Sequence, residues 1–175
     1  MPHLIFDFNR VLLYPKRSIP VDMIMSMTAH LAKNNAASDN LFTNRVLDFD
    51  HYFEFNQPLV EYLSTLVTEK KVPVHIYTNS THSIHAPKSM EIVSTITQSI
   101  FLAKDLNKPK DLPASYLFLA EELQAKPEEL LFIDDTLGNV EAASQAGLHT
   151  HHFTANEALF TAIESFLDVY TSANS

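Results

Sequence analysis

The 175 residues suit a single domain, and 46% hydrophobic content with an ordinary charged fraction describes a globular chain with a real core. A net charge of −9 argues against non-specific nucleic-acid binding, and no apolar run approaches a membrane span or a signal peptide. With no cysteine there is no disulfide framework or thiolate chemistry, and two glycines in the whole chain exclude glycine-rich phosphate loops. A cytoplasmic location is the default expectation.

In chain order, Leu4, Ile5 and Phe6 form a short apolar run that reads as a buried strand, and Asp7 arrives where it ends. Residues 10–20 hold two prolines and read as a loop leaving the sheet. Residues 21–33 carry Met23, Ile24, Met27 and Leu31 at helical spacing, and 34–44 are polar and turn-rich. The segment 45–55 is rich in apolar and aromatic residues, Tyr52, Phe53 and Phe55 among them. Pro58 then opens a helix with Leu59, Tyr62, Leu63, Leu66 and Val67 on one face.

Residues 72–77 read as a second strand, ending in Thr78, Asn79 and Ser80. A helix is expected near 89–98, a short strand or turn at 99–103, and a polar loop carrying Lys108-Pro109 at 105–111. A helix over 115–124 leads to the apolar strand 130–133, which ends in Asp134-Asp135. A helix follows to Ala146, with Gly147 as its terminator; 149–153 make a last strand and 158–170 an amphipathic closing helix. Strands alternating with helices mean an α/β fold with a doubly wound parallel sheet.

In such a sheet, ligands collect at the carboxyl ends of the strands. Asp7 with Asn9, Thr78 with Asn79, and Asp134 with Asp135 therefore converge if their strands are neighbours, with Lys108 in the loop between. Carboxylates so close repel unless a cation sits among them, and an all-oxygen set suits Mg²⁺. A lysine and a hydroxyl beside that metal would complete a site for a phosphate.

These stretches resemble the haloacid-dehalogenase-like (HAD) hydrolase superfamily, mostly Mg²⁺-dependent phosphatases that act through an aspartyl-phosphate. Asp7-Phe-Asn-Arg-Val11 is similar to its first motif, DxDx[TV]; Ile76-Tyr-Thr-Asn-Ser80 to its second; and Lys108-Pro109 to its third. The run from Leu131 to Gly147, with Asp134, Asp135 and Asn139, resembles the fourth almost residue for residue. The resemblance implies a Rossmann-like fold over residues 1–175, with 14–55 as a small, reduced helical cap. It implies Asp7 as nucleophile and metal ligand, metal positions at Asn9 (through its carbonyl), Asp134 and Asp135, and phosphate contacts from Thr78 and Lys108. Asn79 is a weaker candidate for phosphate contact, and Asn139 is expected to brace the loop after Asp134.

Two departures stand out. Arg10 replaces a glycine of the family pattern, and Asn9 replaces the second acidic residue, whose carboxyl protonates the leaving oxygen and then activates water. An amide does neither. The implied function is a phosphatase of a small phosphorylated metabolite, attenuated by Asn9, with His82 or His85 as conceivable substitutes for the missing acid. The alternative is a non-catalytic or regulatory module that binds a phosphorylated ligand or protein partner. His149, His151 and His152 on one strand make a weak zinc pattern, because alternate side chains face opposite ways.

Overall fold

The computed structural model describes residues 1–16, 49–80 and 83–172. The expected helix over 21–33, the turn-rich 34–44, most of the 14–55 cap insertion and His82 lie outside the described residues.

Among them the chain runs β1 (His3–Phe6), β2 (Leu13–Pro15), a short α1 (Phe49–Tyr52), β3 (Phe53–Phe55), α2 (Gln57–Thr68), β4 (Val74–Thr78) and α3 (Pro87–Ile96). It continues through β5 (Ser99–Leu102), α4 (Pro113–Glu122), a 3₁₀ turn (Pro127–Glu129), β6 (Leu130–Asp134), α5 (Leu137–Gln145), β7 (His149–His152) and α6 (Asn156–Ser172). Strand order in the main sheet is β5-β4-β1-β6-β7, with every pairing parallel. The chain builds outward from β1 through β4 to β5, then crosses back to add β6 and β7 on the other side. Doubly wound sheets place their ligand sites at such a reversal, so the central trio β4-β1-β6 is where one is expected.

Period-two alternation divides the core into two layers. Leu4 and Phe6 of β1, with Val74, Ile76, Leu131 and Ile133, face α2, α3 and α6 through Leu63, Val93 and Ile163. Ile5, Tyr77 and Phe132 point the opposite way, against Tyr116 and Leu119 of α4 and Ala142 and Ala143 of α5. The small residues on α5 let that helix lie close to the sheet. At roughly 1.5–3 kcal/mol for each large apolar side chain taken from water, these two layers fix the strand ends firmly. Three helices begin with proline in their first turn (α2, α3 and α4), where the missing N–H costs nothing. Helix α5 ends as expected at Gly147, which has φ +89°; Leu148 N–H reaches Ala143 O at 3.2 Å and Gly147 N–H reaches Ser144 O at 3.0 Å.

One expectation is corrected. Residues 10–20 are not simply a loop leaving the sheet, because Leu13–Pro15 pairs antiparallel with Phe53–Phe55 in a separate two-stranded ladder. The ladder stands beside the carboxyl end of β1, held by Asn56 N–H to Leu12 O at 2.9 Å. Asn56 also exchanges a reciprocal amide pair with Asn156 at 2.8 Å, tying the start of α2 to the start of α6. No helix among the described residues is long and apolar enough to cross a membrane.

Candidate active site

Asp7 continues the β1 ladder by one residue, its N–H donating to Ile133 O at 2.8 Å. That bond fixes its side chain at the mouth between β1 and β6. Its Oδ1 lies 2.7 Å from the Nζ of Lys110, and the same ammonium lies 2.5 Å from Oδ2 of Asp134, at the end of β6. Both carboxylates and the lysine are buried; Asp134 is wholly so. The ring faces of Phe132 and Tyr77 lie 5.3 and 5.6 Å from Nζ, completing a shell in which this cation is held rather than solvated.

Asp134 is further satisfied by Thr136 N–H at 2.8 Å and by the Asn139 amide, which donates to both carboxylate oxygens at 3.2 and 3.1 Å. Asn139 thus braces the acid rather than reaching outward, in line with the sequence reading. Asp135 is more open. Its Oδ2 faces the Arg10 guanidinium at 3.7 Å, and its carbonyl meets His152 Nε2 at 3.0 Å. Thr78 ends β4 with its hydroxyl oxygen accepting from Ser80 N–H at 3.0 Å, which leaves its own O–H to donate. Asn9 is exposed, and its Oδ1 accepts from Ser83 Oγ at 3.1 Å; Ser83 in turn meets the Ser80 hydroxyl in a short hydrogen bond. Asn79 is exposed beside Thr78.

The structure therefore brings together Asp7, Asn9, Thr78, Asp134 and Asp135, but not Lys108. Lys108 Nζ stacks over the Phe118 ring, 4.8 Å from its centroid, while Lys110 enters the cluster. The two lysines flank Pro109, and the turn of chain between them sends one outward and the other inward. The sequence signal for Lys110 was its place three residues before Pro113, the proline that opens α4, followed by Tyr116 on the face turned to the sheet. The Lys-Pro pair marks the lysine that stays outside the cluster.

Burial pushes the Asp7 carboxyl above the ordinary carboxylate range; Lys110 pulls it back down, and the neighbouring Asp134 pushes it up. Carboxylate oxygens of Asp7, Asp134 and Asp135 lie within 4.8 Å of one another. Three carboxylates against one buried ammonium leave two negative charges uncompensated, with Arg10 only at the rim. An all-oxygen set with that deficit fits a divalent hard cation such as Mg²⁺. Among the described residues no other group of acidic or histidine side chains gathers in this way, the last-strand histidines included.

Comparison with known proteins agrees with this arrangement. Residues 26–147 match the family model for haloacid dehalogenase-like hydrolases, well over half of the chain. The chain belongs to that family. The matched span of this HAD-like hydrolase contains Thr78, Lys110 and Asp134 but begins after Asp7, so the place of Asp7 rests on the geometry above. A curated relative, enolase-phosphatase E1 of Caenorhabditis elegans, is 33% identical over 89 residues, 49% of this chain. The chain covers only 35% of that relative's length.

Solved structures share the HAD-like fold at low identity. A predicted HAD-like hydrolase from Porphyromonas gingivalis superposes with a TM-score of 0.65 at 19% identity, over 95% of this chain and 98% of that one. A HAD-family enzyme from Bacteroides thetaiotaomicron, solved with magnesium and inorganic phosphate, gives 0.63 at 16% identity over 89% and 96%.

Proposed function

We propose that this HAD-like hydrolase is a Mg²⁺-dependent phosphatase of a small phosphorylated metabolite, acting through an aspartyl-phosphate on Asp7 and slowed by Asn9. The observation that carries the reading is the buried Asp7–Lys110–Asp134 cluster at the ends of neighbouring parallel strands, with the Thr78 hydroxyl on the strand alongside. The phosphatase named among its relatives and the magnesium and phosphate bound by a structural neighbour support the same reading.

Asp7, Asp134, Asp135 and the Asn9 carbonyl would hold the metal, which supplies charge neutralisation between the nucleophile and the phosphoryl oxygens. The Asp7 carboxylate attacks phosphorus in line with the departing oxygen. Thr78 donates its hydroxyl proton to one phosphoryl oxygen, and Lys110, taking the role first assigned to Lys108, balances the charge that gathers on the others. Asn79, exposed beside Thr78, would offer a further contact to the phosphate. The leaving oxygen departs without a proton from Asn9, whose side-chain Oδ1 is engaged by Ser83. Hydrolysis of the aspartyl-phosphate needs a base for water, and Asn9 does not provide one.

A rapid-mixing time course with an aryl phosphate and Mg²⁺ tests this. An aryl oxygen leaves without protonation, so a burst near one equivalent followed by slow turnover is expected. Asp7→Asn should abolish the burst, and Asn9→Asp should raise steady turnover by about 10²–10⁴-fold, the usual worth of a general acid–base. Absence of any product from the parent, with Mg²⁺ still bound, would sink the reading. It would leave the second one, a module that binds a phosphorylated ligand without turning it over, which Asn9 favours.

A further inference from the structure

Three consecutive backbone carbonyls around the buried lysine are each held by a different buried hydroxyl. Tyr77 donates to Lys108 O at 2.5 Å, Ser115 to Pro109 O at 2.6 Å, and Tyr116 to Lys110 O at 2.6 Å. The donors are all buried, and they come from two elements: Tyr77 from β4, Ser115 and Tyr116 from the first turn of α4. We propose that Tyr77, Ser115 and Tyr116 form a hydroxyl clamp whose work is to position Lys110 between Asp7 and Asp134. This rests on the reading of Lys110 as the cation that meets the transferring phosphoryl group.

A loop carbonyl buried away from water must find a donor, and a buried tyrosine hydroxyl must find an acceptor. Mutual satisfaction explains one such bond. It does not require three in succession, flanking a proline whose φ is already fixed, on the one loop that delivers the buried cation. Lysine loses more rotamer freedom on ordering than most side chains. Fixing its backbone on both sides and roofing its ammonium with the Tyr77 and Phe132 rings removes much of that freedom before substrate arrives. The Tyr77 and Tyr116 rings also meet edge to face, with centroids 5.8 Å apart, so the two phenolic arms brace each other.

The clamp links two parts of the site. Tyr77 immediately precedes Thr78, so one strand residue holds the lysine loop while the next faces the phosphoryl position. A shift of β4 would move both together, keeping hydroxyl and ammonium in register. Burial raises the Tyr77 phenol to about 12 and raises that of Tyr116 as well, so both remain donors at any working pH.

Competitive acylation with trace acetic anhydride, read lysine by lysine by mass spectrometry, tests the clamp without requiring turnover. In the parent, Lys110 should be acylated far more slowly than exposed Lys104. In Tyr77→Phe/Tyr116→Phe, which keeps both rings, Lys110 acylation should rise about tenfold while other lysines hold their rates, the mark of a local opening. Tyr116→Phe alone should give a smaller rise and serves if the double variant folds poorly. In the burst experiment, the same variants should lower the burst rate about tenfold with little change in KM, as expected for lost positioning. Lys110 equally protected in the parent and in the folded variants would overturn the clamp. A parent that releases no product would instead overturn the phosphatase reading and leave the acylation result standing.

Discussion

The two ends of strands β1 and β4 bury ionisable groups in opposite ways. At the carboxyl end, Asp7 and Asp134 keep their charge company with Lys110 at 2.7 and 2.5 Å. Near the amino end, His3 and His75 meet at 3.0 Å between Nδ1 and Nε2, their rings stacked 17° from parallel. Among the described residues no counter-charge acts on that pair beyond the half-buried Glu129 near His3, and Nδ1 of His75 has no partner. The far pair avoids the cost of burial by shedding its protons; the site instead sets an ammonium between its two carboxylates. A buried charged cluster that could have been neutral or apolar is weak as a stabilising device, which is a physical reason to read the carboxyl end, and not the histidine pair, as functional.

The largest expected effect comes from breaking the matched end. Lys110→Met keeps the stem but leaves two buried carboxylates without their cation. Stability in urea at pH 7.5 without Mg²⁺ should fall by about 3–5 kcal/mol, the usual cost of orphaning a buried charge. Saturating Mg²⁺ should restore part of it, since the metal and the ammonium neutralise the same carboxylates. A loss under about 1 kcal/mol, indifferent to Mg²⁺, would mean the cluster is not held by charge.

The neutral end predicts a pH dependence of definite sign. Burial, with His3 alongside, lowers His75 from 6.5 to about 4, and His3 is lowered too, chiefly by burial. Above pH 6.5 both folded and unfolded chains carry neutral imidazole there, and the full stability is present. Between 6.5 and 4 the unfolded chain takes up the proton and the folded one does not, so stability falls as pH drops through that window. By linkage the His75 contribution is about 2 kcal/mol between pH 7.5 and 5. Urea titrations at the two pH values should show a drop in the parent that is smaller by about that amount in His75→Leu. Equal drops would place the acid sensitivity elsewhere.

How much of this could be read beforehand follows the range of the signals. The parallel strands and the acids at their ends are local events: an apolar run, then a carboxylate, then a helix. Asp7, Thr78 and Asp134 could be named because each ends or directly follows its own strand. The β2–β3 ladder could not, since Leu13–Pro15 pairs with a partner about forty residues away and contains a proline of the kind tolerated on short edge strands. Lys110 was missed for a related reason. Which of two lysines turns inward depends on hydroxyls from β4 and α4, and nothing within the Lys-Pro-Lys stretch encodes them.

The smallest expected effect lies at the rim, where charge matching ought to matter little. Arg10 stands where a glycine is expected and holds φ +59°, one of four non-glycine residues in the left-handed region among the described residues. With two glycines in the chain, such positions fall to other residues, at a steric cost of about 1–2 kcal/mol each. Its guanidinium is mostly exposed and 3.7 Å from Asp135, a geometry worth roughly 0–1 kcal/mol. Arg10→Ala removes the ion pair and keeps the backbone cost; Arg10→Gly removes both and adds chain entropy to the unfolded state. Glycine should therefore be more stable than alanine at this position by about 1 kcal/mol, with arginine no more than about 1 kcal/mol from either. Alanine matching glycine in urea would mean the turn is not strained. Arginine well above both would mean that the rim pair counts as the buried cluster does, and the contrast between solvated and buried charge would fail at the place where it should be clearest.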